Sequence, residues 1–415
     1  MSQAHSVAPS LRLAAVLEAL RRADWLTGAR ARAYGWLLLI VTGAAMLAWI
    51  GFSRGGVDAA GKPLGTDFAS FWTASQLALE GTPAKAYDVG VHHARQAALF
   101  GRDLGYAAFF YPPMFLLICL PLALAPYFVS LALWLGASGL AYWRMIRAWL
   151  GERLGALPAL AFPAVFLNIG HGQNAFLSAA LFGAGALWLE RRPWLAGLCL
   201  GALVYKPHLG LLIPLALVAS GRWKTIAAAG ATAAALAAVS LAIFGADTWR
   251  AFLAHAGLAR AALEQGLVGD AKMQSAFAAV RLLGGPVGLA YGVQAATAAL
   301  AAAALLWLQR RAPRGPAEGP ALAAAALLAS PFVLDYDLLL LAVPLAWLAR
   351  EGLETGFRPW EKTTLAAAFV LPAISRSLAT SLHLPLAPLV VGALLLAVSK
   401  RGAQRELGQP AKASA

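Results

Sequence analysis

The chain has 415 residues, of which 60% are hydrophobic and only 13% are charged, whereas soluble domains carry about 25% charged residues. This composition excludes a soluble globular protein and predicts an all-α, polytopic membrane protein. The net charge of +14 does not indicate nucleic-acid binding. Its basic residues occupy short segments between apolar runs, which is the positive-inside pattern of membrane proteins.

The N-terminal part of the chain predicts a cytoplasmic arm and a first membrane span. Residues 1–33 form a polar, basic arm without an evident cleavable signal peptide. The first span follows from about Tyr34 to Phe52. The next long segment, 53–108, contains five basic and five acidic residues. Because this segment is neutral, we expect it on the outer side of the membrane.

A short amphipathic helix is predicted in this outer segment. The stretch "FWTASQLALEG" has apolar residues at helical spacing and ends at Gly81. We expect this helix to lie on the membrane surface, anchored in the interface by Phe68, Phe71 and Trp72.

The remaining chain predicts alternating membrane crossings. Residues 109–125 are interpreted as a surface or half-inserted helix, because two full spans here would place all later basic loops outside. The first outer loop then covers about 53–126, and the second covers about 245–285. Roughly twelve spans result, within a transmembrane domain of residues 34–399 that is followed by a basic tail, 400–415; both termini are cytoplasmic. After the first span, these are 127–147, 156–169, 174–189, 194–205, 209–220, 225–244, 286–309, 320–334, 338–349, 364–380 and 385–399.

The cysteines and histidines give no sign of a metal site. Cys119 and Cys199 both lie in apolar runs, which makes a disulfide framework a poor interpretation. No Cys/His cluster has the spacing of zinc ligands. We therefore predict no cofactor, although the need for a divalent metal is left open.

Polar and ionisable residues gather at the predicted outer ends of the spans. Such residues are costly at membrane depth and indicate function. Carboxylates and cations that face both water and lipid suit the transfer of a sugar from a polyprenyl-phosphate carrier to a hydroxyl group. A carboxylate can act as the general base, and fixed positive charge can stabilise the departing phosphate. The residues are Asp67, His171, Gln173, Asn174, Lys206, His208, Arg281, Asp335, Asp337 and Arg376.

Several of these polar residues, and two nearby aromatic residues, also have a simpler explanation. Asp67 can cap the helix that follows it, and Asp335 and Asp337 can cap a loop and a helix. Lys206 can extend to the membrane surface. The other simple roles are an interfacial histidine for His171, structural cations for Arg281 and Arg376, and an aromatic belt for Trp72 and Tyr111.

Four ordered blocks of the sequence resemble glycosyltransferase family 87 of the GT-C superfamily. They cover most of residues 65–345 and read "TDFASFWTASQLALEGTPAKAYD", "FFYPPMFLLICLPLALAP", "GHGQNAFLSAALFGAGALWLERRPWLAGLCLGALVYKPHLGLLIPLALVASGRWK" and "LLASPFVLDYDLLLLAVPL". The resemblance implies a GT-C-type fold. It also implies an enzyme of the bacterial inner (plasma) membrane that uses a polyprenyl-phosphate-linked mannose or related sugar.

The resemblance also implies roles for individual residues. Asp67 matches the catalytic acid of the first outer loop, and we predict that it is the general base and is ionised at neutral pH, even where burial raises its pKa. Lys206 matches the lysine of the "KP" block and is predicted to bind the donor phosphate. His208, Arg281 and Arg376 are further candidates for that role. The residues predicted to bind substrate are His171, Gln173, Asn174, Asp335, Asp337 and Tyr111.

The acceptor and the sugar remain open at this point. Some members of the family carry histidine near the "SP" block, where this chain has Asp335-Tyr336-Asp337. The expected partners are the lipid bilayer, a polyprenyl-phosphate sugar donor and a lipid or glycan acceptor, but not nucleic acid. The alternatives are a transporter or flippase of a lipid-linked saccharide and a non-catalytic subunit of a membrane assembly. A transporter would be expected to show internal repeats and charges at the midplane.

Overall fold

A computed structural model describes residues 9–407 of the chain. This part is helical, with isolated β-bridges in place of extended strands. Short 3-10 turns connect several helices, at Pro83–Tyr87, Leu122–Leu124, Leu203–Tyr205, Pro207–Gly210 and Asp335–Leu341. The α-helices are α1 (Pro9–Arg22), α2 (Gly28–Phe52), α3 (Phe68–Leu79), α4 (Val89–Phe100), α5 (Pro113–Cys119), α6 (Tyr127–Leu154), α7 (Leu157–Ala161), α8 (Pro163–His171), α9 (Ala175–Trp188), α10 (Pro193–Ala202), α11 (Ile213–Ala219), α12 (Trp223–Glu264), α13 (Ala276–Leu282), α14 (Val287–Arg311), α15 (Glu318–Ala329), α16 (Ala342–Thr355), α17 (Glu361–Leu382) and α18 (Ala387–Leu407).

Within residues 9–407, four helices are long and apolar enough to cross a membrane, namely α2, α12, α14 and α17. None of the residues of α2 is buried in the protein, so its apolar side chains need lipid around them. The chain is therefore a membrane protein, as its composition predicts. Helices over several other predicted spans are shorter, and the number of twelve spans stays a prediction.

Helix α2 begins before the predicted start of the first span, which stays a prediction. Helix α2 starts at Gly28 rather than near Tyr34, because the Thr27 side chain accepts a hydrogen bond from the backbone N–H of Arg30. Such a cap fixes the start of a helix. Its end at Phe52 agrees with the sequence-based boundary. The preceding helix α1 belongs to the predicted basic arm, of which residues 1–8 lie outside the described part. So do residues 408–415 of the predicted tail.

Short helices fill the interior between the long ones. All twelve residues of α15 are buried. Gly197 and Gly201 of α10 pack directly on α12, where an added Cβ would lie 2.4 Å from Ala228 Cβ or from the Ala229 carbonyl oxygen, respectively. Small residues thus let the two backbones approach closely, as they do in other membrane helix pairs.

The predicted surface helix is instead an internal element of the outer loop. Helix α3 buries eight of its twelve residues, including Phe68 and Phe71. The ring of Phe71 packs edge-on against Phe115 of α5 and Trp134 of α6. The indole N–H of Trp72 donates to the Ala125 carbonyl. The interface-anchor prediction is therefore wrong for Phe68 and Phe71, which are buried among protein side chains, whereas Trp72 is only partly buried and its anchor role stays a prediction.

Two buried ion pairs join helices at the end of the molecule opposite the Asp67 loop. Arg222 binds the buried Glu318 at 2.7 Å, and it also contacts the exposed Glu190 at 3.0 Å, beside a cavity of about 790 Å³. Arg401 pairs with Glu361. This end contains the short basic segments that the sequence predicts to be cytoplasmic, and we refer to it as the inner end.

The orientation of the protein can be tested with single cysteines at exposed positions. With Cys119 and Cys199 replaced by alanine, Arg102→Cys and Asp247→Cys should react in intact cells with a membrane-impermeant thiol reagent. Arg311→Cys should react only after permeabilisation, because positive-inside bias places it in the cytoplasm. Labelling of Arg311→Cys in intact cells would contradict the predicted topology and indicate the opposite orientation.

Candidate active site

A tight turn between α8 and α9 forms the floor of the candidate site. Gly172 has a φ of +63°, and a Cβ there would lie 2.6 Å from Phe68 Cβ. Only glycine combines this backbone conformation with so close an approach. The turn is attached to the first outer loop, because the Asp67 backbone N–H donates to the His171 carbonyl at 3.0 Å. Thr66 Oγ1 also lies 2.9 Å from His171 Nδ1.

The Asp67 carboxylate faces this turn. Although Asp67 precedes α3, its side chain makes no capping hydrogen bond to that helix. Instead, Oδ2 accepts from Gln173 Nε2 at 3.0 Å and lies 3.8 Å from Lys272 Nζ. Oδ1 accepts from the Thr66 hydroxyl at 3.3 Å. The helix-capping explanation therefore does not account for Asp67, whose side chain is 23% exposed to solvent.

The surroundings of Asp67 favour its ionised form. Burial alone would raise the pKa of Asp67, but Lys272, His171 and the hydrogen bonds from Gln173 and Thr66 outweigh burial and hold the pKa below its usual value. The pKa of Asp67 is therefore lowered, whereas partial burial alone would raise it. Burial lowers the pKa of His171, although the carboxylates of Asp67 and Asp335 oppose this shift.

Gln173 links the carboxylate to two tyrosines. Its Nε2 donates both to Asp67 and to the Tyr336 hydroxyl, which lies 3.0 Å away. Its Oε1 accepts from the Tyr111 hydroxyl at 3.2 Å and from the Asn174 backbone N–H at 2.8 Å. Tyr111 thus points into the cluster rather than forming part of an aromatic belt.

Lys206 is held by a second pair of residues behind Tyr336. Its Nζ donates to Asp337 Oδ1 at 2.5 Å and to Asn174 Oδ1 at 3.0 Å. The side chains of Lys206 and Asp337 are only 4% and 2% exposed. Asp337 Oδ2 also accepts from the Leu334 backbone N–H, so it has the helix-start role proposed as its simpler explanation. Lys206 therefore does not extend to the membrane surface.

Asp335 points away from Asp337, although only one residue separates them. Its Oδ1 accepts from the Tyr336 backbone N–H, and its Oδ2 lies 3.6 Å from Arg376 Nη1. This Oδ2 is buried and has no hydrogen-bond partner within residues 9–407. Burial raises the pKa of Asp335 even though Lys272 and Arg376 oppose the rise. Arg376 itself is exposed at the rim.

Two predicted cations lie apart from Asp67. His208 packs against the Phe332 ring, with centroids 6.2 Å apart. Arg281 donates to the backbone carbonyls of Gly285 and Glu264, which is a structural role. No contact in the described part of the chain joins either residue to Asp67.

The sequence analysis missed Lys272, Tyr336 and Thr66. Lys272 lies in a predicted outer loop whose charges balance, and nothing in its local sequence distinguishes it. The structure brings it to the site by backbone pairing, since its carbonyl accepts from the Asp335 N–H at 3.1 Å. Its Nζ and that of Lys206 both lie 5.4 Å from the centroid of the Tyr336 ring. Within residues 9–407, no group of three His, Cys, Asp or Glu side chains has a metal-binding arrangement.

The fold and this cluster define a helical membrane protein with an ionised, accessible carboxylate among cations at one end of its helices. Residues 109–331 match the model of glycosyltransferase family 87. The match covers more than half of the chain, which therefore belongs to this family and is a membrane glycosyltransferase. The resemblance seen in the sequence is confirmed. No curated protein and no solved structure matched the chain. Asp67, Asp335, Asp337 and Arg376 lie outside the matched residues.

Proposed function

We propose that the protein transfers a sugar, with mannose as the first candidate, from a polyprenyl-phosphate carrier to a hydroxyl group of a lipid or glycan acceptor. The reaction takes place at the outer face of the bacterial plasma membrane and inverts the configuration at the anomeric carbon. The observation that carries this proposal is the Asp67 carboxylate, which is ionised, accessible and held by Gln173 rather than by its own helix.

Asp67 acts as the general base in this proposal. It removes the proton of the acceptor hydroxyl while the acceptor oxygen attacks the anomeric carbon from the side opposite the phosphate. Gln173 fixes one carboxylate oxygen, and Tyr111 and Tyr336 fix Gln173 in turn. This chain of hydrogen bonds orients the base before substrate binds, which reduces the entropy lost on reaching the transition state.

The cations of the cluster suit a donor with one negatively charged phosphate. Lys272 lies 3.8 Å from Asp67 and Arg376 lies 3.6 Å from Asp335, and of these two cations Arg376 is the exposed one. A lipid-linked donor also agrees with the location of the site at the end of apolar helices such as α2 and α17. These features do not favour a nucleotide sugar, whose diphosphate would bring more charge than this cluster balances.

The test is a transfer assay with purified protein in liposomes. We expect labelled mannose to move from polyprenyl-phosphate mannose to an acceptor within a panel of lipids and glycans, and no transfer from GDP-mannose. Analysis of the product should show that the anomeric carbon has the opposite configuration to that in the donor. Movement of the intact donor across the bilayer without a new glycosidic bond would support the transporter alternative, and activity with GDP-mannose alone would refute the proposed donor.

A further inference from the structure

Lys272 is the cation paired with Asp67 in the described part of the chain. Its Nζ lies 3.8 Å from Asp67 Oδ2, and its side chain is 14% exposed. This separation is longer than a hydrogen bond. Lys272 Nζ makes no hydrogen bond within residues 9–407, so all its N–H groups are available to another acceptor.

The backbone of Lys272 is fixed by hydrogen bonds, whereas its ammonium is held only by the ion pair with Asp67 and by the face of the Tyr336 ring. Its carbonyl accepts from the Asp335 N–H, and the Gln274 N–H donates to the Val333 carbonyl at 2.7 Å. These two bonds hold the loop against the segment that carries Asp335. A lysine ammonium on a flexible four-carbon stem can move several ångströms from this fixed base.

The other lysine of the cluster lacks this freedom. Lys206 already donates to Asp337 and Asn174. If it moved to a donor phosphate, Asp337 would be left as an unpaired buried charge, which is strongly unfavourable. Lys206 therefore serves to organise Asn174 and Asp337, and the phosphate needs a different cation.

The proposed reaction moves one negative charge from the base to the leaving group. The acceptor oxygen forms a bond to the anomeric carbon, and its proton goes to Asp67, which becomes neutral. The bond between the anomeric carbon and the phosphate oxygen breaks, and its electron pair stays on the phosphate. The phosphate therefore changes from a diester with one charge to a monoester with two. A cation next to both groups stabilises this shift of charge.

We propose that Lys272 is this cation, and that it exchanges Asp67 for the phosphate group of the donor when the donor binds. In the structure it balances the carboxylate. In the donor complex it donates hydrogen bonds to the phosphate, stabilises the charge that develops there, and leaves Asp67 free to accept the proton. The inference rests on the proposed function, because it names the cation that holds the lipid phosphate at the same site.

The test measures binding of a short-chain polyprenyl phosphate, with the corresponding uncharged polyprenol as a probe of the lipid chain alone. Lys272→Met should weaken binding of the phosphate by about ten- to a hundredfold, the value of a charge-assisted hydrogen bond. Polyprenol binding should not change. Lys62→Met, an exposed lysine of the first outer loop, is the matched control and should bind both probes like the wild type.

The decisive comparison uses an Asp67→Asn background. If Lys272 contacts the phosphate, Lys272→Met should weaken phosphate binding there as well, because the contact does not need the carboxylate. If Lys272 only neutralises Asp67, the same change should have no effect in this background, and that result would overturn the inference.

Failure of the inference and failure of the proposed function give different results. Binding of polyprenyl phosphate that depends on Lys272, without sugar transfer by the wild type, would support the inference and refute the function. Sugar transfer by the wild type, with phosphate binding unchanged in Lys272→Met, would support the function and refute the inference.

Discussion

Replacing Asp67 by asparagine should reduce sugar transfer by at least about 10²–10⁴-fold, the usual contribution of a general base. Asparagine keeps the shape of the side chain, and its oxygen can still accept from Gln173, but it cannot take a proton at neutral pH. The protein should therefore fold normally. The measurements are initial transfer rates in liposomes, together with the melting temperature and the elution profile of the purified variant.

Asp58→Asn is the matched control for this experiment. Asp58 lies in the same outer loop, but its carboxylate accepts hydrogen bonds from Ala60, Lys62 and Trp49 and does not join the cluster. Its variant should transfer sugar at close to the wild-type rate. A folded Asp67→Asn protein with wild-type transfer would assign the base elsewhere. Asp335 and Asp337 would then be the candidates, with Asp335 preferred because Asp337 is occupied by Lys206.

Replacing Lys206 by methionine should destabilise the protein by about 3–5 kcal/mol, because it leaves Asp337 as an unpaired buried charge. Adding Asp337→Asn should restore much of this loss, since a neutral amide no longer needs the ammonium and can still accept from the Leu334 N–H. Thermal unfolding in detergent measures both effects, and the double variant should unfold at a higher temperature than Lys206→Met alone.

An exposed ion pair provides the comparison for Lys206. Arg95 and Glu80 lie 2.6 Å apart, but their side chains are 42% and 39% exposed, so Arg95→Met should cost no more than about 1 kcal/mol. If Lys206 instead binds the donor phosphate, as the sequence predicts, the Lys206→Met experiment should give a different result. Lys206→Met should then bind the donor more weakly while its melting temperature stays unchanged. That result would contradict the buried-pair explanation.

The sequence predicted the parts of the site that depend on chain order. Asp67 follows the first span, and a carboxylate at such a boundary is unusual enough to be noticed. The Gln173-Asn174 turn was also found, because it is a polar interruption between two apolar runs. Membership of the glycosyltransferase family followed from the order of four blocks, a property of the linear sequence.

Features that depend on contacts between distant segments could not be predicted. Phe68 and Phe71 have the spacing of an interfacial helix, and hydrophobic spacing does not distinguish lipid from protein aromatics. Asp335 and Asp337 look equivalent in the sequence, yet one pairs with Arg376 and the other with Lys206. Lys272 enters the site only because its loop pairs with the segment before Asp335, and residue-by-residue charge counts do not show such pairing.

The shortness of α9 determines how deep in the bilayer the reaction takes place. This helix leads from Asn174 in the cluster to Glu190 at the inner end, and at 1.5 Å per residue these two positions are about 24 Å apart. The hydrocarbon layer of a bilayer is about 30 Å thick. If Glu190 lies at the inner boundary of the bilayer, as the positive-inside pattern predicts, the floor of the cluster lies about 6 Å below the outer boundary of the hydrocarbon layer. A lipid-linked sugar would then have to reach below the lipid headgroups to meet Asp67, while a water-soluble acceptor would enter from above.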